Sequence, residues 1–141
     1  MTPVKLVAAI ATCCALLAAD SPTKPLLALK RNSPSDLEIT GMVAGVPPGT
    51  SRYVSYETLL TLPQVTVAVT GDDNFNEIPR EKILVTGIYL DVLAKYLGAQ
   101  PSSDLVSALC SDGYRSIYSH DYVLSHRPIF ALMIDGLPVK A

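Results

Sequence analysis

The sequence predicts a single domain of mixed α+β structure with short helices, and three observations predict it. The chain has 141 residues, the length of one ordinary domain. Apolar residues make up 49% of it and charged residues 17%, which is typical of a globular protein and too apolar for a disordered one. Segments with the spacing of strands and of short helices follow one another without a regular strand–helix alternation.

Residues 1–19 have the features of a secretory signal peptide. Lys5 supplies a positive charge, and the 14 residues after it are uncharged and mostly Ala, Leu, Val and Ile. That stretch is too short to cross a bilayer of about 30 Å as a helix, and Ala19 is a small residue suited to cleavage. We therefore expect a periplasmic or secreted protein that has no membrane contact after signal cleavage. An uncleaved anchor, or a lipoprotein attached at Cys13, is the alternative.

Residues 20–36 are expected to form an extended arm or linker in front of the domain at 37–141. They include three prolines, and both proline and the residue before it resist helix formation. The apolar run at 26–29 is expected to pack locally against the domain.

The first half of the domain is predicted to contain three strands and one short helix. Residues 37–43 begin with alternating apolar and polar side chains, as a half-buried strand does, and residues 52–54 continue as a short strand. A helix is expected after Ser55, whose hydroxyl is a favourable N-cap, and Pro63 ends it. Residues 65–70 are the clearest strand, because their Val and Thr side chains are β-branched.

The middle of the domain is predicted to pass from a loop through a brief strand into a helix. Residues 71–80 are mostly polar and are interpreted as a loop, and residues 83–85 as a short strand. Residues 88–97 place their leucines at helical spacing. Gly98 is expected to end this helix in a left-handed conformation.

The last third of the domain carries strong turn and cap signals. Asp-Gly is a frequent turn pair between strands, and Ser119 is a favourable N-cap. A continuous apolar run near the end is typical of a buried strand. We predict, in order, a strand over 105–110, a turn at Asp112-Gly113, a strand over 114–118, a short helix over 120–125 and a buried strand over 129–134.

Three segments of the domain carry short motifs in a fixed order. They are LEITG at 37–41 with YETLLTLPQVTV at 56–67, VTGIYLDVL at 85–93, and SDGY at 111–114 with ALMIDGLPV at 131–139. In this order and spacing, over residues 37–139, the chain resembles the molybdopterin-binding domain of sulfite-oxidase-type oxidoreductases.

The resemblance implies a fold with a curved sheet and a bound molybdenum–pterin cofactor, molybdopterin. Enzymes of that family carry out two-electron, oxygen-atom transfer, so it also implies oxidoreductase chemistry and a redox partner protein. The family's turn motif matches Asp112, Gly113 and Tyr114, and we expect these three and Arg115 to line the cofactor cleft.

Two features depart from the family's pattern. In the enzymes, a Cys thiolate in the loop after the strand predicted at 65–70 ligates molybdenum, and here residues 71–76 contain no cysteine. Asp72 or Asp73 is a candidate oxygen ligand, with a solvated acidic loop as the other interpretation. Family members also continue past the third motif with a His and an Arg that bind the cofactor, so we expect the domain at 37–141 to be C-terminally short.

Other sites are less supported by the sequence. The net charge is -2 and no basic run is present, so nucleic acid is not an expected partner. His120 and His126 are six residues apart, whereas two zinc ligands on one helix are spaced by about four. Cys110 is the only cysteine left after signal cleavage and is interpreted as a small buried apolar residue, with a nucleophile or metal ligand as the alternative.

Two functions remain open on this basis. The first is a redox protein that binds molybdopterin, with a partner that completes it. The second is a cofactor-free periplasmic binding or structural domain on the same fold. The family resemblance favours the first, and the missing thiolate in the 71–76 loop and the missing C-terminal segment favour the second.

Overall fold

A computed structural model describes residues 26–70 and 82–139 of the chain. The predicted signal peptide at 1–19 and the loop with Asp72 and Asp73 lie outside these residues. The elements are, in order, β1 (Leu37–Ile39), β2 (Arg52–Val54), α1 (Tyr56–Leu60), β3 (Val65–Thr70), β4 (Lys82–Tyr89), α2 (Leu90–Leu97), β5 (Leu105–Leu109), β6 (Arg115–Ser119), α3 (His120–His126), β7 (Ile129–Ile134) and β8 (Leu137–Pro138).

These elements are mostly strands with three short helices among the described residues, so the predicted mixed α+β class is confirmed. No helix within the two described ranges is long and apolar enough to cross a membrane.

The strands within the described residues form one four-stranded sheet and two hairpin-like pairs. The larger sheet has the order β3-β4-β7-β8, and β1-β2 and β5-β6 are separate two-stranded sheets. Every pairing is antiparallel. Two-stranded sheets are marginal by themselves, so both pairs depend on packing against the rest of the domain.

The core lies between the helices α1 and α2 and the middle of the large sheet. Val54, Ile88 and Leu132 are fully buried there. The complete cluster is Ile39, Val54, Leu59, Leu62, Ile88, Leu93, Leu97 and Leu132. The strand predicted as buried at 129–134 is present, but only Leu132 in it is fully covered; the residues beside it are half-buried and Ile134 is exposed.

Local cap and turn predictions are confirmed. The hydroxyl of Ser55 accepts a hydrogen bond from the Thr58 backbone N–H, at 3.1 Å, at the start of α1. The hydroxyl of Ser119 accepts one from the Tyr122 backbone N–H, at 3.2 Å, at the start of α3. Gly98 ends α2 with φ 81°, the left-handed conformation that glycine adopts without a steric penalty.

The predicted bounds of β4 and α2 are wrong, and Gly87 explains why. The pairing of β4 with β7 shifts register between Thr86 and Gly87. A Cβ at position 87 would overlap the backbone oxygen of Phe130 and lie 2.9 Å from Cγ2 of Ile129. Because Gly87 has no side chain, β7 can approach β4 closely. β4 therefore continues through Tyr89, two residues beyond Gly87, and α2 begins at Leu90.

The strand predicted over 37–43 is also shorter than expected. β1 ends at Ile39, and the chain then turns at Gly41, which has φ 93°. A residue with positive φ does not continue a β-strand, so the turn at this glycine ends the pairing of β1 with β2.

The described part of the N-terminal arm contacts the domain. Ala28 and Tyr53 exchange backbone hydrogen bonds of 2.8 and 2.9 Å, which extends the edge of β2. Leu26 and Leu27 pack against the core cluster. The nearly buried Asp36 carboxylate accepts hydrogen bonds from backbone N–H groups within the arm.

One long-range hydrogen bond joins α1 to β7. The Tyr56 hydroxyl donates to the backbone oxygen of Leu132 at 2.7 Å. We expect Tyr56→Phe to lower the free energy of unfolding by about 1 kcal/mol, because it removes this hydrogen bond, although the Leu132 oxygen keeps the one from the Val139 backbone N–H at 2.9 Å. Tyr96→Phe is the matched control, since Tyr96 is half-exposed on α2. Equal urea midpoints for the two variants would contradict a stabilising role for this bond.

Candidate functional site

The four residues predicted to bind a cofactor lie together at the turn of the β5–β6 hairpin. Gly113 has φ 86°, and the Asp112 carboxylate accepts a hydrogen bond from the Tyr114 backbone N–H at 2.9 Å. Arg115 is the first residue of β6. The turn is closed by backbone bonds between Cys110 and both Tyr114 (2.8 Å) and Gly113 (3.0 Å).

The side chains of this turn are all exposed to solvent. None of the four lines any of the three cavities described below for residues 26–70 and 82–139. The predicted turn is therefore present, and the role of Asp112, Gly113, Tyr114 and Arg115 in binding a cofactor stays a prediction.

Cys110 is exposed, so its interpretation as a buried apolar residue is wrong. The physical reason is the two-stranded hairpin, neither face of which is fully covered. Val106 and Tyr118 on one face are half-buried, and Leu105 and Ile117 on the other are 61% and 60% exposed. Cys110 follows the last paired residue of β5, where neither face is covered.

Cys110 lines a cavity of about 490 Å³, which we call the polar cleft. The cleft lies between the arm, β1 and the end of β5. Its volume is within the range of small-molecule sites. Its lining residues are Arg31, Pro34, Ser35, Asp36, Glu38, Thr40, Ser107, Leu109, Cys110 and Ser111.

Among the described residues, the charged groups that line the polar cleft are one guanidinium and two carboxylates. Arg31 Nη2 lies 3.1 Å from Glu38 Oε2, and the guanidinium carbon lies 5.3 Å from the centre of the Tyr53 ring. The hydroxyl of Ser51 donates to the other oxygen of Glu38. These contacts hold Arg31 and Glu38 beside each other at the rim, although both remain close to half-exposed.

A second cavity, which we call the apolar chamber, opens beside the polar cleft. It has a volume of about 220 Å³ and shares Glu38, Thr40 and Ser107 with the cleft. The side chains that form most of its wall are apolar and belong to β1, α2, β5 and β7, among them Leu37, Ile39, Leu93, Leu97, Leu105 and Phe130.

A third cavity, of about 240 Å³, lies between α2 and α3 and contains Asp91, Lys95 and His120. Asp91 Oδ2 is 3.4 Å from Arg127 Nη2, and its Oδ1 is buried with no hydrogen-bond partner among the described residues. His126 is elsewhere on α3, stacked on Tyr122 with ring centres 4.2 Å apart.

Sequence reasoning missed the charged side of the polar cleft. Arg31 and Asp36 lie in the predicted arm, far along the chain from Cys110, and no local pattern indicates that they meet. The Ala28–Tyr53 pairing that folds the arm back is the contact that brings them together.

Three of the groups that line the polar cleft are of types that would hold the pterin cofactor implied by the resemblance. Cys110 offers a sulfur ligand of the soft kind that suits such a metal centre. The Arg31 guanidinium suits a phosphate, and the carboxylate of Glu38 accepts hydrogen bonds of the kind an aminopyrimidine edge donates. No group of three His, Cys, Asp or Glu side chains that could hold a metal ion comes together within residues 26–70 and 82–139.

Comparison of the chain with models of known protein families finds no match, and comparison with curated proteins finds none either. The candidate site therefore stands on its own geometry and on the three motif segments.

Proposed function

We propose that the chain is an exported domain of the sulfite-oxidase-type molybdopterin-binding family, with that family's curved-sheet fold, and that it holds a molybdenum–pterin cofactor in the polar cleft. The observation that carries the proposal is the exposed thiol of Cys110 on a cleft of about 490 Å³ that also contains a guanidinium. A free thiol placed this way compensates for the absence of a cysteine in the loop at 71–76.

The contacts between the three motif segments support the family part of the proposal. Tyr56 of the first segment hydrogen-bonds Leu132 of the third. Gly87 of the second segment lies against Phe130, which is next to the third. These parts of the three segments thus meet at one core, as they would if the segments formed one inherited fold, whereas the SDGY turn at 111–114 is exposed.

Three residues of the cleft and the neighbouring turn have defined tasks in this proposal. Cys110 would supply sulfur to the metal, and Arg31 would bind the phosphate of the pterin. Glu38 orients Arg31 through their 3.1 Å contact. The turn at Asp112 to Arg115 positions Cys110 through its backbone bonds to Tyr114 and Gly113.

When bound, the cofactor supplies two-electron, oxygen-atom transfer chemistry, which the side chains of the cleft do not provide themselves. The chain's residues bind the group, orient it and leave it open to solvent. Two-electron chemistry in an exported protein requires a source or sink of electrons, so a redox partner protein in the periplasm or outside the cell is part of the proposal.

A cofactor-free binding domain is the second candidate function. The observation that favours it is the charge balance of the cleft, where Asp36 and Glu38 oppose the single cation Arg31. Such a balance weakens the attraction for a phosphate-bearing ligand.

Metal and pterin analysis separates the two functions. We expect protein purified from a molybdopterin-producing host to contain molybdenum and pterin in equal, near-stoichiometric amounts by mass spectrometry. The same protein from a host that makes no molybdopterin is the control and should contain neither. Absence of both from the first preparation would overturn the cofactor proposal and favour the cofactor-free domain.

A further inference from the structure

The outer edge of β3 is open among the described residues. β3 is the first strand in the sheet order β3-β4-β7-β8, so it pairs with β4 on one side and with no described strand on the other. An edge strand presents a row of backbone N–H and C=O groups that point away from its sheet. Such a row is a template on which another extended strand can pair.

β3 lacks the features that protect a strand edge from pairing with another chain. Proteins protect edges with charged side chains, proline, β-bulges or very short strands. The residues of β3 are VTVAVT, and they pair with β4 in a continuous register without a bulge. At the opposite edge of the same sheet, β8 has only two residues, one of which is Pro138. The described sheet is thus protected at one edge and open at the other.

The side chains of β3 bring apolar surface to the open edge. Val65 and Val67 are half-buried and Val69 is 38% exposed, and all three lie on one face because side chains alternate along a strand. Val67 pairs with Val85 of β4, which is half-buried. Val69 pairs with the half-buried Ile83, so the apolar face continues across both strands. A strand added outside β3 would remove more of this face from water.

We infer that two copies of the chain pair antiparallel through the outer edges of β3, which joins their four-stranded sheets into one. A twofold axis perpendicular to the sheet, near Val67 and Ala68, places the valine face of one copy beside that of the other. Cross-strand pairs of β-branched side chains stabilise such a sheet. β3 carries no charged residue, so this pairing sets no like charges opposite each other. This self-complementarity selects a second copy as the occupant of the edge.

The length of β3 sets the expected affinity. Six residues span about 20 Å at about 3.3 Å per residue. Pairing through one strand of this length buries less than about 1,200 Å², the lower limit of standard stable interfaces, so we expect a weak dimer with a Kd on the order of 10–100 µM. The inference goes beyond the proposed function and does not require the cofactor.

The mass of the protein in solution is the first test. Sedimentation equilibrium from about 5 µM to about 1 mM should show an average mass that rises from near one copy towards two copies. A reducing agent is present throughout, because the exposed thiol of Cys110 can link copies by a disulfide. The mass of one copy at every concentration would overturn the inference, whether the edge is empty, covered by the chain's own residues or occupied by a different protein.

A charge at the middle of β3 is the second test. Ala68 is exposed, and Ala68→Lys sets two ammonium groups close to the twofold axis, so the Kd of the dimer should rise about fivefold. Ala108→Lys is the matched control, because Ala108 is an exposed alanine on β5, in a separate sheet, and this variant should dimerise like the unchanged protein. Thermal unfolding confirms that both variants are folded. Unchanged dimerisation of Ala68→Lys would place the contact elsewhere and overturn the inference.

Mixing opposite charges at this position identifies the partner strand. Ala68→Glu alone is expected to weaken the dimer as Ala68→Lys does. An equimolar mixture of the two variants should associate at least as tightly as the unchanged protein, because opposite charges then face each other across the axis. Failure of the folded variants to associate on mixing would overturn the pairing of β3 with β3. All measurements use metal-free protein, so their failure leaves the cofactor proposal standing, and absence of molybdenum leaves this inference standing.

Discussion

Cys110→Ser is expected to abolish molybdenum binding while leaving the protein folded. In the proposed site, this thiol is the sulfur that the chain contributes to the metal, and a serine oxygen is a poor replacement for a soft ligand. We expect the molybdenum content of protein from a molybdopterin-producing host to fall at least tenfold. The temperature of unfolding should stay unchanged, because Cys110 is exposed and its replacement leaves no cavity in the core.

Ser111→Ala is the matched control for this experiment. Ser111 also lines the polar cleft and follows Cys110 directly, but it has no sulfur to offer. Its molybdenum content should equal that of the unchanged protein. Full molybdenum content in Cys110→Ser would show that the metal is held elsewhere, and Cys110 would then have no part in the site.

Features that depend on neighbours in the chain were predictable from the sequence. Ser55 and Ser119 cap helices because the donor each one accepts from lies three residues further on. Gly98 and Gly113 adopt positive φ at a helix end and a hairpin turn, where glycine meets no steric penalty. The mixed α+β class follows from the order of such local elements.

Features that depend on distant contacts were not predictable in this way. The exposure of Cys110 depends on which face of the β5–β6 hairpin meets the domain, and an apolar run gives no information about that face. The polar cleft needs the arm to fold back along β2, so that Arg31 reaches the end of β5. Of the candidate site, the sequence therefore predicted the turn beside Cys110 but not the cleft.

Gly87→Ala adds a single methyl group and is expected to destabilise the fold strongly. A Cβ at this position would overlap the backbone oxygen of Phe130 in the neighbouring strand, and backbone has little freedom to move aside. Relief would require β4 and β7 to separate beside Ile88, which is fully buried. We expect the free energy of unfolding in urea to fall by about 3 kcal/mol.

The control must separate this overlap from the general cost of replacing a glycine. Gly49 has φ 73° and open space around its Cβ position, so Gly49→Ala carries backbone strain alone, about 1 kcal/mol. Gly87 is not among the residues with positive φ, so its cost arises from contact with β7. If the two variants lost equal stability, β7 would not approach β4 as closely as described, and the extension of β4 through Tyr89 would need another cause.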